Sequence, residues 1–152
     1  MENNFNLSNE NFSLETEFIT EVVTNYREQQ LSFINENLGI EDAHSIQFDL
    51  KTLKDFISKI EEQAANEDPG IQPEELGIRF YYAAYSEDSS FPIPENYQKR
   101  HTLVLVPTIV RGDEICDFNP YEGHKSFSIV PQALAQNHGL LVPPATKNIE
   151  FY

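Results

Sequence analysis

The chain has no tryptophan, one cysteine and one methionine, and it is short of basic residues, with ten Lys and Arg against twenty-five Asp and Glu. A single thiol, Cys116, excludes an internal disulfide, so a packed core must hold the fold, and 152 residues are enough to build one. Long apolar runs are missing too: LVLV at 103–106 is far too short to cross a bilayer. The opening stretch MENNFNLSNENFS has neither the basic nor the apolar region of a signal peptide. The Asn-x-Ser sequons at Asn6 and Asn11 then read as chance in an Asn-rich segment. These absences lead us to expect a soluble, cytoplasmic protein with no membrane partner.

Short catalytic signatures are equally scarce. The sequence has no GxSxG, no phosphate-cradling GxxxxGK[ST] and no GxGxxG. His44, His101, His124 and His138 are widely spaced and form no ligand pair, so neither metal nor cofactor is expected. Cys116 reads as a quiet, partly buried thiol rather than a nucleophile, which would need a histidine brought to it by the fold.

What is abundant is negative charge, and it is unevenly placed. The formal charge is −15; residues 1–76 hold four basic and seventeen acidic side chains, and residues 77–152 hold six and eight. The acidity therefore belongs to the N-terminal half. Like charge opposes nucleic acid as a partner of that half and favours a basic protein. The bland alternative is a solvated surface that keeps the chain soluble.

Periodicity supplies the architecture. Residues 1–12 show no period and read as a flexible tail, leaving 13–152 as a single domain. Ser13 is the expected N-cap of a helix of about 24 residues whose stripe runs through Leu14, Phe18, Val22, Tyr26, Phe33 and Ile34, with Gly39 as its stop. Asp49, closing the β-prone SIQFDL, should cap a second helix with Leu50, Leu53, Phe56, Ile57, Ile60 and Ala64 on one face. Strands follow over residues 78–85 and 101–110, joined by a loop of about fifteen residues that is long enough to suggest function or mobility. Pro107 is expected at a bulge or at a solvent-facing donor position. A short helix is expected from Pro131 through His138. A strand–helix–strand order predicts a parallel crossover, so the expected fold is α+β, with a small mixed sheet of three to five strands and two main helices.

Within LGIRFYYAAY, residues 76–85, one arginine stands among apolar and aromatic residues. Alternation puts Arg79, Tyr81, Ala83 and Tyr85 on one face and Ile78, Phe80, Tyr82 and Ala84 on the other, the second set reading as core under a helix. An anion should meet Arg79. It is either a ligand carboxylate or phosphate held in a bidentate fork, or a structural carboxylate such as Asp117. Lys99 and Arg100 would extend a positive rim, and His101 would act as a general base if a carboxylate oriented it. Asp117 and Asn119 in DFNP more simply brace a turn fixed by Pro120. The candidate ligand-binding residues are thus Arg79, Tyr81, Tyr85, His101, Asp117 and Asn119, with no catalytic residue assigned.

The segments NYREQQ (25–30), DAHSIQFDLKTLKDFI (42–57), LGIRFYYAAY (76–85), RHTLVLVPT (100–108) and DFNP (117–120) together resemble a group of small uncharacterised bacterial proteins, over about residues 18 to 121. The resemblance implies a single domain and no catalytic residue. The functional expectation is a non-enzymatic interaction module binding a basic protein partner, an immunity- or antitoxin-like role being one instance. The alternative is a small-molecule binder or enzyme using the Arg79 face. A homodimer through the first helix is compatible with either.

Overall fold

The computed structural model describes residues 12–122 and 131–152. The expected tail, apart from Phe12, and His124 lie outside them. The fold is α+β, and its chain contacts divide it into two compact units, one running to Ile40 and including Lys147–Tyr152, the other Glu41–Thr146.

The first unit is a helical run: α1 (Thr16–Tyr26), a π turn (Arg27–Leu31) and α2 (Ser32–Leu38). Its length is close to the expectation, but it starts later. Ile19 N–H donates to Glu15 O at 3.2 Å, so Glu15 and not Ser13 stands at the N-cap, and its side chain makes no capping bond. Gly39 ends the run at φ +62°, the left-handed conformation that glycine adopts without a Cβ clash. Leu31 is buried, five residues and so one π turn after Tyr26. Arg27 pairs with Glu150 at 3.6 Å.

Among its described residues the second unit holds α3 (Leu50–Glu67) and five strands: β1 (Ser45–Gln47), β2 (Leu76–Ala84), β3 (His101–Arg111), β4 (Glu114–Asp117) and β5 (Leu140–Val142). Asp49 caps α3 as expected, its carboxylate accepting from Thr52 N–H at 2.8 Å and from the Thr52 hydroxyl at 2.7 Å. Phe56, Ile60 and Ala64 form the buried stripe of α3, while Leu50 and Ile57 stay exposed. Phe56 and Ile60 pack with Leu105 and Leu134; Ala64 packs with Ile109 and Phe118.

The strands make two antiparallel sheets, β1–β5 and β2–β3–β4. The parallel crossover expected across α3 does not form because β1 pairs with β5, Ile46 opposite Leu141, instead of joining the sheet of β2.

Pro107 is fully buried in the central strand, neither bulged nor at a solvent-facing position. Phe118 N–H donates to Pro107 O at 2.8 Å, and the proline nitrogen on that same edge has no hydrogen to return. β4 stops at Asp117, one residue short of this position. Beyond it, Leu105 and Gln136 exchange both backbone bonds, at 2.8 and 3.0 Å. This explains why the helix expected over residues 131–138 is absent. Gln136 is committed to the edge of β3, and its side-chain oxygen accepts from the Asn137 and His138 N–H groups.

Candidate functional site

Register places the Arg79 face. Arg79 stands opposite Val106 and Asp117 opposite Thr108, two residues further along the same face of β3. The guanidinium reaches across that strand. Its Nη1 donates to Asp117 Oδ1 at 2.6 Å and its Nη2 to Ile115 O at 3.3 Å, while the Tyr81 hydroxyl donates to Asp117 Oδ2. The anion that meets Arg79 is thus the chain's own Asp117. The Tyr81 oxygen first, and the charge of Asp117 next, hold Arg79 above the usual guanidinium range. The two charged side chains are 39% and 40% exposed, so solvent screens the pair.

Tyr85 belongs to a different cluster. Its hydroxyl donates to Asn137 Oδ1 at 2.9 Å, and Asn137 Nδ2 donates to Leu103 O at 2.7 Å and to Thr102 Oγ1 at 3.3 Å. The Tyr97 ring lies 5.9 Å from that of Tyr85, a tilted stack. These bonds tie the 131–138 segment and the long loop to β3. The loop is anchored at its base, with Tyr85 and Lys99–Arg100 exchanging backbone bonds at 2.9 and 3.0 Å.

His101 does meet a carboxylate. Asp42, 1% exposed, accepts from His101 N–H at 2.6 Å and from Ala43 N–H at 2.8 Å, and its Oδ2 lies 3.2 Å from His101 Nδ1. Sequence reasoning missed Asp42. It stands 59 residues from His101 and looks like one more acid in an acidic half.

The positive rim is internally engaged. Arg100 donates to Glu41 O and, at 2.8 Å, to Asn96 O, and Lys99 lies 3.2 Å from Glu87. Asn119 braces its turn as expected, accepting from Tyr121 N–H and donating to Gln132 O, both at 3.1 Å. Asp117 leaves that task for Arg79. Cys116 is partly buried in β4, opposite Ile109.

The opposite face of β2 departs from expectation. Ile78 joins the core, but Phe80 and Tyr82 are exposed, because α3 packs only on the Leu76–Ile78 end of this edge strand. A concavity of about 230 Å³ runs there, lined by Ile57, Ile60, Glu61, Pro73, Leu76 and Ile78 among others. It lies on the other side of the sheet from Arg79.

No protein-family model matches the chain, and neither a curated protein nor a solved structure does. No helix among the described residues is long and apolar enough to cross a membrane.

Proposed function

We propose that this chain is a non-enzymatic interaction module that binds a basic protein partner through its acidic helical half. The observation that carries the reading is the charge distribution: of a net −15, residues 1–76 account for −13, four basic against seventeen acidic side chains. Support also comes from the Arg79 face, where the cation is already met by Asp117 and the Tyr81 hydroxyl completes that carboxylate. The test is binding of a fluorescent peptide of about 20 residues with Lys on one helical face and Leu on the other, against a Glu/Leu counterpart. The reading predicts at least about tenfold preference for the Lys peptide, lost when the acids of both helical segments are changed to Gln. Equal binding of the two peptides overturns it.

A second reading, an enzyme or anion binder, is favoured by one observation, the His101–Asp42 pair, since a buried carboxylate orients an imidazole as a general base requires. It predicts that the His101 ring resonances shift on titration with small carboxylates or phosphates. Ring resonances unmoved by every anion would remove it.

A further inference from the structure

Resting on the interaction reading, we infer that the partner docks on α1 rather than α3, and that it is a basic segment with apolar side chains that completes the α1 helix.

The two acidic helical segments differ in how far they neutralise themselves. α3 carries Asp55, Glu61, Glu62 and Glu67 against Lys51, Lys54 and Lys59; Lys51 pairs with Asp55 at 2.5 Å and Lys59 with Glu62 at 3.1 Å. From Thr16 to Leu38, Glu17, Glu21, Glu28 and Glu36 face one base, Arg27, and that base lies against Glu150. No Lys or Arg stands three or four residues from any of those four glutamates. Glu17 and Glu21 are themselves four apart, a like-charge spacing that destabilises a helix.

The rest of α1 is also poorly supported as a helix. Thr16, Ile19, Thr20, Val22, Val23 and Thr24 are β-branched, the N-cap makes no side-chain bond, and none of its 11 residues is buried. Helices in proteins owe most of their stability to a packed face, and α1 has no buried residue to supply one. Phe18 and Val22, one helical turn apart, are 46% and 43% exposed, beside Glu17 and Glu21. A partner bringing Lys or Arg and apolar side chains together would relieve the repulsion and cover the stripe. A second copy of this chain would bring like charge to the same place, which argues against the homodimer through this helix.

The experiment uses the full chain and the Lys/Leu peptide probe, with three variants: E17Q/E21Q and F18S/V22S on α1, and E61Q/E62Q on α3. The expected result is that both α1 variants weaken binding by about tenfold or more and E61Q/E62Q by less than about twofold. The peptide should also slow amide exchange within Thr16–Tyr26 in the unsubstituted chain. Loss confined to E61Q/E62Q, or no protection of α1, overturns the α1 assignment while leaving the interaction reading standing. Failure of the unsubstituted chain to prefer the Lys/Leu peptide over the Glu/Leu one overturns both. Circular dichroism of each variant shows whether the fold has survived. If F18S/V22S unfolds, the charge variant and the exchange data decide.

Discussion

A Cβ added to Gly139 would lie 2.4 Å from Ile46 Cγ2 and 2.9 Å from Phe48 Cε2, closer than side chains tolerate. Gly139→Ala should therefore destabilise by about 1–3 kcal/mol, as forced overpacking does, measured by urea denaturation. Wild-type stability would mean that the β1–β5 pair yields easily. Arg79 carries the opposite expectation. Because its pair with Asp117 is well exposed to solvent, Arg79→Met should keep the fold and move Tm by no more than about 3 °C in a calorimetric scan. The Arg79–Asp117 pair was legible in the sequence as one of two alternatives, since an arginine amid strand residues needs an anion and DFNP offered one, 38 residues away. Asp42 was not, because nothing local marks an acid whose partner lies 59 residues away.

α3 was the most legible element, with a one-sided stripe, a cap and a following turn that agree with one another. Thr52 bonds to Asp49 through its hydroxyl first and its N–H next, holding that carboxyl below its ordinary value. A lowered folded-state value means that the stabilisation is present above the unfolded carboxylate range and is lost as pH falls through the folded value. Asp49→Ala should lower Tm at neutral pH by about 2–4 °C, and the deficit should shrink as the carboxyl is protonated in acid, where a neutral oxygen still accepts from Thr52 N–H, a comparison made by thermal scans across pH. A deficit that grows in acid would contradict the capping account. Elements built from long-range pairing were less legible. Residues 131–138 have a helical opening in Pro131, yet the edge of β3, where Pro107 stops β4, takes Gln136 instead. Leu31 escaped notice for a related reason, because a 3.6-residue period does not foresee a π turn.

For the molecule as a whole, class and charge were readable from composition and order, whereas the pairing of strands into two sheets was not. Three-residue strands such as β1 and β5 carry too little pattern to announce each other. The charge is where the functional account stands or falls. Acids without helical bases on α1 and α2 should make association electrostatic, fast and weakened by salt, whereas apolar contact alone would be nearly insensitive to salt. The most direct measurement is the affinity of the full chain for the Lys/Leu peptide between about 50 and about 300 mM salt. The account predicts binding at low salt that falls by about tenfold or more across that range. Binding that is absent at low salt, or unchanged by salt, would contradict it.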